Sequence, residues 1–337
     1  MWRCLILPAA LIALGFQSGS LSRIRFHAQK LASGIDVASA GLTVADIDSD
    51  GKPEALVWSN AGIQVFRYGT TKPLDCGLNT VREVVSISPG DFNNDGLTDL
   101  AILTQSDAEL WTNRRGRFEK LNVVIPEGAY NKAVWLDFDH DNDLDLFLLG
   151  DKSALMRNEG ERNVGTGFTN VSNNFPFVAG RAVDGATLGK DLFVIFSDRP
   201  GVFYEDKLRG RFEAQDLNVV AAGAKAVVAA NPDLLVTTPS GTFPVFKRGG
   251  SFTKGPSIAQ SSVAPAVGNF ESRGHNDIAV PGAILRNDSS GRLSDIKVPD
   301  ADASALTAVD FDGDGRIDLI EVRRDGSLMF LRNESAR

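Results

Sequence analysis

Asp91-Phe-Asn-Asn-Asp-Gly-Leu-Thr-Asp99, running straight into Leu100-Ala-Ile-Leu103, is the stretch whose reading decides the fold. Oxygen-bearing side chains stand at positions 1, 3, 5 and 9, a glycine stands at 6, and an apolar run follows. The same frame recurs at Asp46-Ile-Asp-Ser-Asp-Gly-Lys-Pro-Glu54, Asp137-Phe-Asp-His-Asp-Asn-Asp-Leu-Asp145 and Asp310-Phe-Asp-Gly-Asp-Gly-Arg-Ile-Asp318. The first three copies begin 45 and 46 residues apart, and the 173 residues from 137 to 310 hold four periods of about 43. Three degenerate copies fill that gap. Asn269 to Asp277 keeps the frame, Asp233 before Leu234-Leu-Val keeps only its end, and Asp184 to Asp191 is shortened. Seven anchors result.

Behind each anchor lies a turn, a short strand-like run, a Gly or Asn turn and another run, as in Glu109-Leu-Trp-Thr-Asn-Arg-Arg-Gly-Arg-Phe-Glu119. Asn113, Gly116, Gly210 and Gly249 supply hairpin chemistry. About four strands in roughly 44 residues is the size of a propeller blade. The expected fold is all-β: a seven-bladed β-propeller of four-stranded antiparallel blades. The last unit ends at Leu328-Met-Phe-Leu331 with no fourth strand after it, so Arg23-Ile-Arg-Phe-His-Ala-Gln29 is expected to pair there and close the ring.

The aspartate spacing carries its own chemistry. A hard divalent cation takes six to eight oxygens, and calcium tolerates the irregular cage that a tight loop offers. The expected ligands are Asp46, Asp48, Asp50, the Lys52 carbonyl and Glu54; Asp91, Asn93, Asp95, the Leu97 carbonyl and Asp99; Asp137, Asp139, Asp141, Asp143 through its carbonyl, and Asp145; and Asp310, Asp312, Asp314, the Arg316 carbonyl and Asp318. That makes about four structural Ca²⁺ sites. Thiolate and imidazole ligands are lacking, which disfavours zinc and copper. The 310 copy also fits an EF-hand, with Glu321 at position 12, but its flanks alternate like strands and Glu321 is expected on one. In the degenerate 269 copy Arg273 stands where a ligand belongs. Its guanidinium is expected to pair with Glu271 or Asp277 in place of an ion, as an exposed pair of little worth.

Asp-Phe-Asn-Asn-Asp-Gly-Leu-Thr-Asp-Leu, with Leu110-Trp-Thr-Asn and Gly116-Arg-Phe downstream, resembles the FG-GAP/VCBS repeat family, and Leu155-Met-Arg-Asn158 looks like the same unit. The resemblance covers nearly the whole chain beyond the first twenty residues. It implies a propeller like the head of integrin alpha subunits, with calcium between the first two strands of a blade. Relatives of this kind serve in adhesion, in sugar binding and as parts of larger extracellular proteins.

The chain has 35 basic and 43 acidic residues, a net charge of −8, which disfavours a nucleic-acid surface. Residues 1–20 read as an export signal: a basic start, a 13-residue apolar run from Cys4 to Phe16, and a small polar exit. Residues 21–337 are expected to form the single propeller, secreted or periplasmic, with no membrane span after cleavage. Cys76 is then left alone, without a disulfide. No catalytic constellation emerges. His27, His140 and His275 are far apart, with His140 expected to point outward, so the chain is read as a non-enzymatic binding or scaffold module for an extracellular protein or glycan. The alternative is a lectin or polysaccharide-active enzyme on the same fold. The ligand is expected on the face opposite the aspartate loops, with Trp58 stacking on a sugar and Arg323 and Arg324 holding a carboxylate.

Overall fold

A computed structural model describes residues 24–160, 167–230, 233–287, 293–298 and 302–335. Residues 1–20, expected from sequence to direct export, lie outside the described residues, as does Arg23. Among the described residues every regular element but one 3-10 turn is a strand, and all the pairings are antiparallel.

Seven sheets follow one another along the chain. Blade 1 holds β2 (Gly41–Ala45), β3 (Glu54–Ser59) and β4 (Gly62–Phe66). Blade 2 holds β5 (Val84–Gly90), β6 (Asp99–Thr104), β7 (Ala108–Asn113) and β8 (Phe118–Leu121). Blade 3 holds β9 (Tyr130–Leu136), β10 (Asp145–Gly150), β11 (Ala154–Asn158) and β12 (Phe168–Asn170). Blade 4 holds β13 (Ala182–Leu188), β14 (Asp191–Phe196), β15 (Gly201–Asp206) and β16 (Phe212–Leu217). Blade 5 holds β17 (Ala226–Ala230), β18 (Asp233–Thr238), β19 (Gly241–Arg248) and β20 (Ser251–Lys254). Blade 6 holds β21 (Ala266–Gly268), β22 (Asp277–Val280), β23 (Ala283–Asn287) and β24 (Leu293–Lys297). Blade 7 holds β25 (Ala303–Val309), β26 (Asp318–Arg323) and β27 (Leu328–Asn333), and takes its fourth strand from β1 (Phe26–Ala32).

The closure is the expected one, shifted a few residues along the chain. Phe26 pairs with Asn333 and Ala32 with Leu328, so both chain ends are tied into one sheet. β1 thereby covers the edge of β27 and stands as the short outer edge of blade 7. Blade 1 departs from the four-strand expectation. Its outer position is taken by irregular chain, which contributes one backbone bond from Leu74 N–H to the Val65 carbonyl at 2.8 Å. Pro73, just before it, has no N–H to give a ladder. Leu74, buried Cys76 and Leu78 still pack beneath the sheet.

The second strand of each blade is buried on both faces. That is why these strands read as unbroken apolar runs, such as Leu146-Phe-Leu-Leu149, rather than alternating ones. The core is accordingly divided into clusters, each shared by two neighbouring blades.

One repeated contact joins the blades. The residue that follows or ends the third strand reaches the aspartate loop of the preceding blade. Asn113 donates its side-chain amide to the Ile47 carbonyl at 2.7 Å, Asn158 to the Phe92 carbonyl at 2.6 Å, and Asn333 to the Phe270 carbonyl at 2.8 Å. All three asparagines are buried. Asn333 heads one of three Asn-x-Ser triplets, and its amide is fully engaged in this contact, unlike exposed Asn170. Loop position 2, whose carbonyl accepts, also receives the next blade's aromatic ring. Phe212 stacks on Phe138 at 5.8 Å, Phe168 meets Phe92 edge-on at 5.6 Å, and Phe26 meets Phe270 at 6.2 Å. Where blade 1 lacks a fourth strand, Tyr68 takes the role and packs on Phe311 at 6.3 Å.

Asn113→Ala removes the donor from two buried carbonyls, those of Ile47 and Thr98. It should cost about 1–3 kcal/mol in urea unfolding. Exposed Asn122→Ala in the same blade should stay within about 0.5 kcal/mol. Equal costs would remove the case for the clip.

Candidate metal centre

Each aspartate loop connects the first and second strands of its blade, and four share one hydrogen-bond pattern. The position-1 carboxylate caps the turn by accepting the N–H of position 6: Gly51 at 2.9 Å, Gly96 at 2.9 Å, Asn142 at 3.2 Å and Gly315 at 2.8 Å. Position 5 accepts from position 7, as from Asp143 N–H to Asp141 at 3.0 Å. Position 6 is left-handed as the sequence required, with Gly51 at φ 85° and Asn142 at φ 72°. Position 4 is left-handed too, at Ser49, Asn94, His140 and Gly313, a demand the sequence reading missed. Two left-handed residues in six explain why Ser, Asn, His and Gly, and no β-branched residue, stand at position 4.

Position 9 opens the second strand and is buried in all four loops. One of its oxygens accepts the position-2 N–H: Ile47 to Glu54 at 3.1 Å, Phe92 to Asp99 at 3.3 Å, Phe138 to Asp145 at 2.6 Å and Phe311 to Asp318 at 3.0 Å. In blades 2, 3 and 7 the other oxygen accepts the backbone N–H of the inter-blade asparagine, at 2.7, 2.8 and 2.7 Å.

Three loops gather acidic triads whose oxygens lie within 4.8 Å of one another: Asp46, Asp48 and Asp50; Asp137, Asp139 and Asp145; Asp310, Asp312 and Asp318. The 91 loop keeps the same turn but brings no such triad together among the described residues, because Asn93 replaces a carboxylate at position 3. Asp46 Oδ1, Asp48 Oδ1 and Asp139 Oδ1 are buried and lack a hydrogen-bond partner. Burial, with the neighbouring like charges adding, raises the carboxyl of Glu54 to about 7, Asp99 to about 6, Asp145 to about 7 and Asp318 to about 7. Crowded hard oxygens, several orphaned and inward, fit a hard divalent cation. Calcium held there would neutralise the cluster and tie the loop to the strand behind it.

Other expected site residues lie elsewhere. Trp58 is buried, its indole set against Gly41 and its N–H donated to the Val85 carbonyl at 3.1 Å, so it does not offer the exposed stacking face expected of it. Arg323 Nε lies 2.7 Å from Glu321, which sits on β26 as expected, and Arg324 reaches Asp302 at 3.2 Å. His140 is not outward-facing: its Nε2 meets Asp206 of blade 4 at 2.8 Å and its Nδ1 meets Lys190 at 3.2 Å.

The raised carboxyls set a pH signature. In the ion-free protein they hold protons that the unfolded chain has released, between the ordinary carboxylate range near pH 4 and about pH 7. Ion-free stability is therefore fullest at low pH and falls as pH rises through 6–7. Calcium prefers the ionised loops, so its stabilising increment should grow over the same span. Melting with chelator and with calcium, at pH 5 and pH 8, should show a lower chelator midpoint and a larger calcium increment at pH 8. An increment equal at both would contradict the cage.

The FG-GAP-like repeat profile matches residues 46–102 and 91–148, the span of the first three aspartate loops. No curated protein sequence matches the chain. Among solved structures the chain is similar to BBS1N in its complex with ARL6DN, at 14% identity and TM-score 0.61, covering 92% of this chain and 97% of that one. It is also similar to virginiamycin B lyase from Staphylococcus aureus, at 14% identity and TM-score 0.60, covering 91% and 99%. An Agrocybe aegerita lectin that recognises non-reducing terminal N-acetylglucosamine matches at 16% identity and TM-score 0.55, covering 77% and 80%. At these identities the likeness is one of fold. Residues 46–148 thus belong to the FG-GAP-like repeat family, carried on a seven-bladed β-propeller.

Proposed function

We propose that this chain is an exported, calcium-stabilised, non-enzymatic binding or scaffold propeller. The observation that carries this reading is where the acidic loops sit. Each candidate cage is built into a blade-to-blade contact, its position-2 carbonyl or ring held by the next blade. An ion there tightens the ring as a platform. The apolar N-terminal run supports export, and no helix among the described residues is long and apolar enough to cross a membrane. Extracellular calcium modules bind in the ~10⁻⁴–10⁻³ M range, which suits such a setting. The partner on this reading is an extracellular protein or a glycan.

A saccharide is favoured by one feature. A cleft of about 870 Å³ between blades 2 and 3 presents Asn94, Arg114, Arg157 and Glu159 beside the 137 loop, with Phe92 and Phe168 beneath. This mix of polar arms over an aromatic floor suits a sugar. It lies on the aspartate-loop face, not the opposite one.

Three measurements check the proposal. The N-terminus of exported protein should begin after residue 20. Calcium should raise the melting midpoint, roughly in line with 2.7 kcal/mol at one hundred times Kd. A glycan array read with calcium and with chelator should separate sugar from protein ligands: calcium-dependent sugar signals lost in Arg157→Ala support the cleft. A blank array with calcium-dependent protein capture supports the scaffold. Release of oligosaccharide products would overturn the non-enzymatic reading.

A further inference from the structure

Blades 4, 5 and 6 keep the position-9 acid, blades 4 and 5 without the rest of the cage and blade 6 with a cation at position 5, and a protein cation meets each of those acids. Asp191 receives Lys247 Nζ at 2.7 Å, from the third strand of the next blade. Asp233 receives Arg248 through both guanidinium nitrogens, at 2.5 and 3.1 Å. Asp277 receives Arg273 at 3.3 Å. The three acids also accept the same backbone N–H as their counterparts in blades 2, 3 and 7, from Asp206 at 2.9 Å, Lys247 at 3.3 Å and Asn287 at 2.9 Å. They are thus the same structural position, with a different partner.

Blade 6 shows the exchange most fully. Its loop retains the left-handed residues at positions 4 and 6, Ser272 at φ 52° and Gly274 at φ 77°. Asn269 still accepts the position-5 N–H, at 2.9 Å. At position 5 itself, Arg273 contacts buried Glu271 and Asp277, and Arg286 reaches Glu271 at 2.7 Å. Two buried acids face two arginines. The 310 loop has the same turn but sets four acids against Arg316 and Arg332, a deficit of two positive charges. Arg273 is therefore not the dispensable surface pair expected from sequence. Its partners are buried, where breaking a pair costs far more than at the surface.

We infer that the ring is electrostatically divided. Blades 7, 1, 2 and 3 form one arc that depends on calcium, while Lys247, Arg248 and Arg273 serve blades 4, 5 and 6 as built-in replacements for the ion. This rests on the calcium reading of the aspartate loops. Chelation then loosens one arc and leaves the other intact, a partial opening of the kind local stability differences permit.

Amide hydrogen exchange of the full chain, with calcium and with chelator, tests the division. Chelator should raise exchange in segments 41–158 and 303–333 and leave 182–287 unchanged. A rise of similar size in 182–287 would overturn the inference while leaving calcium binding in place. No calcium bound and no change anywhere would instead overturn the calcium reading. Calcium counted by equilibrium dialysis gives the second arm. Arg273→Asp rebuilds the frame of the other loops and should bind one further ion per chain, with a melting midpoint restored only in calcium. Arg273→Gln should melt lower by the same amount with and without calcium. A folded Arg273→Asp that binds no extra ion would sink the replacement. Should that variant not fold, the exchange pattern of the unaltered chain decides.

Discussion

The carboxylate that opens each blade's second strand, buried in blades 1, 2, 3, 6 and 7 and half-buried in blades 4 and 5, is the feature on which the other contacts converge. In six blades one oxygen holds the backbone N–H at the end of the third strand. In five of these blades that same third-strand residue then crosses to the preceding blade. Asn113, Asn158 and Asn333 reach a carbonyl, Asp206 reaches His140, and Lys247 reaches Asp191. One acid therefore fixes a hairpin within its blade and aims the side chain that grips its neighbour. A propeller blade cannot bury both faces alone, so these crossings and the rings packed beside them are what make seven hairpin sheets into one ring.

Placing that acid in the core carries an electrostatic cost. A buried carboxylate either takes up a proton or finds a cation. Glu54, Asp145 and Asp318 lie among further acids that repel them, and their carboxyls are pushed to about 7. Two backbone hydrogen bonds oppose that shift at Asp145 and Asp318 and do not cancel it. A divalent ion would resolve the conflict where four or more oxygens surround it, and a lysine or arginine meets the acid where only one or two remain. The two kinds of blade are two answers to one requirement, which explains how the repeat survives the loss of its metal-binding signature.

Much of this was legible in the sequence. Period and apolar runs located all seven second strands, including those behind Asp191 and Asp233, where only the end of the frame persists. Ring closure followed from a missing strand at one end and a spare one at the other. What escaped was whatever depends on the neighbouring blade. Asn113 read as turn chemistry because its acceptor, Ile47, lies 66 residues away. Tyr68, Asp206 and Lys247 occupy the crossing position with unrelated side chains, so no motif marks them. Trp58 read as a loop residue, but it lies within β3, and Gly41 across the ladder leaves room for its indole to turn inward. Arg273 was judged from its own polarity, whereas its worth is set by the burial of Glu271 and Asp277.

The same logic separates what the aspartate loops do from what a ligand would use. A metal held in these loops would sit between the loop and the strand behind it, where Lys247 and Arg273 already sit in blades 4 and 6, and its consequence would be stiffness. Recognition needs groups that stand clear of that work. The cleft between blades 2 and 3 meets this condition only at its rim, where exposed Arg114 borders it; the Phe92–Phe168 contact that floors it already belongs to the blade interface. Its walls come from two blades, so its shape depends on the crossing by Asn158 that holds them together. Asp139, Asp141 and Asp143 of the 137 loop line the same cleft, so a cation there would act on it directly as well as through the position of those walls.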